Sequence, residues 1–181
     1  SVPLYPNLNA ETLEKVLVHS ETKVLFVGKL DNYASMKEGV SKDIQCITYP
    51  FYSEDYPKWD DLTKDITPLS DNIIRGEKEL ATIIYTSGTT GNPKGVLYSH
   101  KSNVLHAQAA LTAMTIQPDD SILMVVPLFH VLAWGIPYFG PMNGLKLVMP
   151  GMQMEGEPLY ELIDQEDVSL AFGVPTIWMG L

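Results

Sequence analysis

The sequence predicts an α/β fold: a mostly parallel sheet with helices on both faces. Three observations carry that expectation. Short apolar runs alternate with stretches whose apolar residues recur at helical spacing, the pattern of buried strands joined by crossover helices. The chain has 181 residues, 45% of them hydrophobic, enough for a proper core. Residues 80–153 hold only Lys94, Lys101, Lys146, Asp119 and Asp120 as charged side chains, so that span should be largely buried.

Each element has its own local reason. Asn9 can cap a helix to about Ser20, with Leu13, Val16 and Leu17 on one face. Lys23 to Gly28 reads as a buried strand, Asp31 to Val40 as a weaker helix and Ile44 to Tyr49 as another strand. Residues 51–79 carry Pro57, Pro68 and many charges, which predicts a surface connection with little regular structure. Leu80 to Tyr85 is a strand, and Lys101 to Met114 a helix with a stripe of Val104, Ala107, Leu111 and Met114. Ser121 to Val126 is a continuous apolar strand, and Lys146 to Met149 a shorter one. Glu157 to Asp167 is helical, and Ser169 to Phe172 closes the series as a strand.

Charge and cysteine content exclude several classes. The net charge is −10, and residues 154–181 carry six acids and no base, so general nucleic-acid binding is not expected. The lone cysteine, Cys46, lies in an apolar run and reads as a small buried hydrophobe; its solitude fits a reducing, cytoplasmic setting. The longest apolar run, Ile122 to Phe129, is far short of the ~20 residues that span a bilayer. No secretory leader pattern opens the chain.

The chemistry concentrates after the strand ending at Tyr85. Thr86-Ser87-Gly88-Thr89-Thr90-Gly91-Asn92-Pro93-Lys94-Gly95 packs three glycines, four hydroxyls and a lysine into ten residues. Glycines let backbone N–H groups approach a ligand and form a concave anion site, which hydroxyls extend. Lys94 adds a full charge worth roughly 4 kcal/mol against an anion at 4 Å at an effective dielectric of 20. Phosphate is the natural ligand. The spacing fits neither G-x-x-x-x-G-K-[ST], since Pro93 precedes Lys94, nor G-x-G-x-x-G, since Thr89 and Thr90 part Gly88 from Gly91.

Tyr85 to Gly95 resembles the signature loop of the adenylate-forming superfamily, which includes acyl-CoA synthetases, luciferases and peptide-synthetase adenylation domains. The resemblance implies that Thr86, Ser87, Gly88, Thr89, Thr90, Gly91 and Lys94 hold the β- and γ-phosphates of ATP. It makes Lys94 catalytic, and Thr86 the residue that meets magnesium. Pro127-Leu128-Phe129-His130-Val131-Leu132-Ala133-Trp134-Gly135 resembles the family segment lining the acyl pocket. It implies that His130 lies beside the carboxylate being activated and that Trp134, with Gly135, gates a fatty-acyl tunnel. An imidazole can donate a hydrogen bond to an oxygen gaining charge; without the family, a core histidine beside a packed tryptophan reads as well. Gly173-Val174-Pro175-Thr176-Ile177-Trp178 resembles a turn in fatty acyl-CoA synthetases and adds Val174 and Pro175 to the substrate wall; structurally it also reads as a strand end with a proline stop. His19, His100 and His106 receive no role.

The likeness is strong over 83–100, good over 121–151 and 169–178, and faint over 1–50. It implies part of the large N-terminal AMP-binding domain, residues 1–181, of an adenylate-forming enzyme. The family's Tyr-Gly-x-Thr-Glu strand, ribose aspartate and lysine-bearing C-terminal domain have no counterpart here, so the chain reads as a fragment with little or no turnover alone. The implied parent is a fatty acid–CoA ligase using ATP, Mg2+ and coenzyme A on a medium- or long-chain fatty acid; a homodimer is compatible with the sequence. Two other readings stay open: adenylation of an aryl, amino or luciferin-type acid, and a non-catalytic ATP- or anion-binding module.

Overall fold

Asn9 begins the first helix as its side chain predicts: Oδ1 accepts from the Thr12 N–H at 2.8 Å. In the computed structural model, which describes residues 1–28, 33–50, 52, 55–86, 92–151 and 154–181, this helix, α1, runs Ala10–His19 and buries Leu13, Val16 and Leu17. The chain divides into two units, Ser1–Gly76 with Thr82–Leu97, and Glu77–Ala81 with Tyr98–Leu181.

In the first unit, β1 (Val24–Val27) pairs in parallel with β2 (Gln45–Thr48), Val24 opposite Gln45 and Val27 opposite Thr48. Between them lie α2 (Tyr33–Met36) and a 3₁₀ turn, Lys37–Gly39. The expected helix start, Asp31, falls outside the described residues. Leu13, Leu17, Val27, Tyr33, Met36 and Cys46 form this unit's core. Cys46 is buried, and burial raises its thiol pKa. β1 is less covered than its apolar sequence suggests, with Val24 42% and Phe26 43% exposed. Among the described residues the β1–β2 sheet has two strands, and the Phe26 ring is met by Tyr49 and Trp59, ring centroids 5.6 and 5.7 Å away.

The connection after β2 holds a short helix, α3 (Trp59–Thr63), and the described side chains from Lys64 to Leu80 are all exposed. β3 (Leu80–Thr86) then pairs with β4 (Lys94–Ser99), a strand that begins inside the expected loop, Thr86 to Gly95.

The second unit is the α/β sandwich in full. β5 (Ser121–Leu123) is the middle strand, with β6 (Lys146–Val148) and β7 (Leu170–Ala171) parallel on its two sides. Alternation sorts its side chains to opposite faces. Ile122, Met124 and Val126 join Ala107 and Ala110 of α4 (His100–Ala113) and Ile136 and Phe139 of α5 (Ile136–Met142). Leu123, Val125 and Val148 meet Leu159, Leu162 and Ile163 of α6 (Gly156–Gln165) and Ile177 and Trp178 of α7 (Pro175–Trp178). The strand ends at Leu123, earlier than expected, although residues 124–126 remain buried.

α4 is rotated from the expected stripe. Its buried residues are Asn103, Ala107 and Ala110, while Val104 and Met114 are each 47% exposed. Small alanines allow the close approach of α5, so packing distance overrides hydrophobicity in choosing the face.

Candidate functional site

Thr86 ends β3, one residue after buried Tyr85, and its own side chain is exposed. Ser87, Gly88, Thr89, Thr90 and Gly91 lie outside the described residues. On their far side Lys94 opens β4, also exposed. That corrects the expectation that this charge-poor span is largely buried: Val96, Leu97 and Leu80, of the same span, are 42%, 68% and 52% exposed. The shortage of charge there marks apolar surface as well as core.

Two features hold the base of this loop. A Cβ on Gly95 would stand 2.9 Å from Ile83 Cγ2, so β4 approaches β3 too closely for any side chain just after Lys94. His19, at the last turn of α1, brings Nδ1 to 2.6 Å from the Tyr85 hydroxyl, the two rings meeting edge-on. Burial raises the pKa of the Tyr85 phenol, so it stays neutral. This pair had no signal in the sequence, because 66 residues separate its members. A cavity of ≈370 Å³ opens beside Thr86 and Pro93, walled by Leu4, Leu8, Val16 and Tyr85, within the usual size range of ligand pockets.

The second set of residues follows β5 in the other unit. The chain leaves buried Val126 through Pro127, and the His130 N–H returns to the Pro127 carbonyl at 3.0 Å. Val131, Leu132, Ala133 and Trp134 then take positive φ angles of 47°, 52°, 45° and 56°. A left-handed turn of four non-glycine residues costs roughly 1–2 kcal/mol each, and a β-branched residue such as Val131 is rare there. The surroundings hold it: Ala133 is wholly buried, its N–H donates to the His130 carbonyl at 3.0 Å, and His106 Nε2 lies 3.1 Å from the Trp134 carbonyl oxygen. Strain of this size, confined to one turn, is characteristic of working sites. It leaves His130 exposed and Trp134 36% exposed, with Gly135 (φ +87°) leading into α5. Pro137 in the first turn of α5 was the overlooked signal for that helix.

The third patch lies in the same unit. Pro175 starts α7; it is not the stop of a strand. Trp178 Nε1 donates to the Gly173 carbonyl at 3.2 Å, and a Cβ on Gly173 would meet Trp178 at 2.7 Å and Val125 at 3.0 Å. Val174 and Pro175 are exposed. So His130, Trp134, Gly135, Val174 and Pro175 share one unit, and Thr86 and Lys94 belong to the other.

Among the described residues no three of His, Cys, Asp or Glu cluster to hold a metal. A magnesium ion carried on nucleotide phosphates and waters needs few protein donors, and the exposed Thr86 hydroxyl fits such a role. No described helix is long and apolar enough to cross a membrane.

Two paired strands joined by a glycine- and hydroxyl-rich sequence, followed in the same chain by a parallel sheet with a strained turn after its middle strand, make this an α/β protein. The profile described as "AMP-binding enzyme" matches residues 1–181, and the chain belongs to that family. It is 54% identical over 107 residues to the medium-chain-fatty-acid–CoA ligase of Ectopseudomonas oleovorans, covering 58% of this chain and 20% of that protein. It is 33% identical over 180 residues to the long-chain-fatty-acid–CoA ligase of Thermus thermophilus, covering 97% of this chain and 33% of the relative. The matched segments therefore span a fifth to a third of the length of these relatives. Among solved structures, the benzoate CoA ligase of Burkholderia xenovorans LB400 superposes with a TM-score of 0.82 at 18% identity, over 99% of this chain and 35% of that one. The inhibitor-bound N-terminal domain of FACL13 from Mycobacterium tuberculosis gives 0.77 at 24%, over 97% and 44%. At those identities the likeness is one of fold.

Proposed function

We propose that this chain is part of the N-terminal AMP-binding domain of a longer fatty acid–CoA ligase, completed by a separate lysine-bearing domain. The observation that carries the reading is Lys94 exposed at the start of β4, the strand paired with β3, which Thr86 ends, with the sequence between them rich in glycine and hydroxyls. In this reading a fatty-acid carboxylate attacks the α-phosphorus of ATP, giving acyl-adenylate and pyrophosphate. The thiol of coenzyme A then attacks the acyl carbon and releases AMP. Residues 86–91 and Lys94 hold the β- and γ-phosphates, and the Lys94 ammonium offsets charge that grows on departing pyrophosphate. Magnesium, bound with the nucleotide near Thr86, supplies Lewis-acid stabilisation of phosphate oxygens. His130 donates a hydrogen bond to the carboxylate, and Trp134, Gly135, Val174 and Pro175 line the acyl chain's path. Those four residues carry no ionisable group, which suits an alkyl chain better than an amino acid. A free, buried Cys46 agrees with a cytoplasmic setting.

Two measurements test this reading. The intact mass of the protein from its source should far exceed 20.1 kDa; a mass of 20.1 kDa removes the ligase mechanism. ATP–pyrophosphate exchange by the complete protein, run with alkyl, aryl and amino acids, should favour alkyl acids. Lys94→Ala should weaken MgATP at least about tenfold, since a hydrogen bond between charged groups is worth about 1.5–3 kcal/mol. His130→Ala should lower the exchange rate about 10²–10³-fold, the usual cost of a lost oxyanion donor. Triphosphate binding that depends on Lys94, with no exchange for any acid, would favour the binding-module reading instead.

A further inference from the structure

We propose that His106 is a positioning residue that sets acyl-chain selectivity by fixing the turn that carries Trp134; this rests on Trp134 lining the acyl path. His106 lies on α4, a helix capped at its start by Ser99, whose hydroxyl accepts from the Ser102 N–H at 3.1 Å, and packed through Ala107 and Ala110. From that fixed rod, His106 Nε2 reaches the Trp134 carbonyl at 3.1 Å. A carbonyl oxygen only accepts, so the proton of this bond sits on Nε2. The same ring fills the space beside the next residue: a Cβ on Gly135 would lie 2.6 Å from His106 Cδ2 and 2.7 Å from Nε2. One side chain thus bonds the backbone of Trp134 and occupies the place a Cβ would take on the following residue.

The geometry makes this contact consequential. Trp134 has φ 56° and ψ 25°, in a region that a non-glycine residue leaves when nothing holds it there. The turn is clamped from two sides, by the burial of Ala133 beneath it and by His106 beside it. Releasing His106 frees the peptide after Trp134 to rotate, which redirects the indole without removing any group that touches substrate.

In the complete ligase, kcat and KM would be measured for saturated acids from four to sixteen carbons, and KM for MgATP, in wild type, His106→Ala, His106→Gln and Trp134→Ala. Loss of one hydrogen bond predicts a KM for the preferred acid about three- to tenfold higher in His106→Ala, with a shifted preferred length. KM for MgATP should stay within about twofold, the scatter of ordinary steady-state measurements and well below one full hydrogen bond. His106→Gln, whose amide N–H stands where Nε2 does, should restore the wild-type profile. If His106→Ala does not fold, His106→Leu, which fills similar volume without a donor, takes its place. The inference is overturned if the donor-lacking and Gln variants shift alike, or if neither shifts while Trp134→Ala does. A Trp134→Ala profile identical to wild type overturns the acyl-path reading and this inference with it.

Discussion

Gly135 shows how a single position is constrained by two independent causes. Its φ of +87° suits glycine, and the imidazole of His106 leaves no room for a Cβ. Gly135→Ala should therefore lose about 1–3 kcal/mol of stability, read as a lower urea midpoint with unchanged slope. Adding His106→Ala removes the clash but not the strained φ, so the double variant should recover only part of the loss. Full recovery would mean that φ costs nothing here. Sequence alone marked Gly135 as part of a motif but could not supply the second cause, since His106 is 29 positions away. The same limit applies at Lys94. Its loop was legible from glycine, hydroxyl and lysine spacing; its exposure was not, because a charge-poor stretch reads alike whether it is core or uncovered apolar surface. Tyr85 and His19 make the point again: nothing local to either residue signals the 2.6 Å contact between them.

Elements were legible where local chemistry was strong. Asn9 and the Leu13, Val16, Leu17 stripe specified α1, and apolar runs specified β5 and β6. β4 and the helices α5 and α7 were missed, β4 because its Lys-Gly start reads as loop, the helices because each opens at a Gly or Pro that also signals a turn. The starts of β5 to β7 are tied by polar groups. Asp120 accepts from the Gln117 N–H and the Ser169 hydroxyl, both at 2.7 Å, and Lys146 Nζ reaches the Glu166 carbonyl and carboxylate, each at 2.8 Å. The Gln117 N–H, then the Ser169 hydroxyl, hold the Asp120 carboxyl below its usual pKa. A depressed folded pKa contributes stability above the unfolded value, about 3.9, and loses it as pH falls through the folded value. Wild type should thus lose stability more steeply than Asp120→Asn as pH drops below about 4. Urea midpoints across that range check this; parallel curves would remove Asp120 from the account.

At the scale of the whole molecule, two units are joined in part through a long exposed stretch. The side chains from Lys64 to Leu80 are all exposed, and the stretch before β3 lacks regular structure. Limited trypsin digestion should cut first at Lys64, Arg75 or Lys78 and leave the segments on either side resistant longer, because exposed irregular backbone enters a protease most readily. First cuts inside α1 or α4 would contradict the packing described here. Composition, alternating apolar runs and the loop between Tyr85 and Gly95 by themselves determined the α/β class and the family, because strand burial and phosphate-type loops are encoded in contiguous residues. Tertiary structure alone decided which face of α4 is buried, the left-handed turn at Val131–Trp134, and the contacts of His106 and His19. Those features depend on groups far apart in the chain, whose approach is set by packing distance and which no local pattern records.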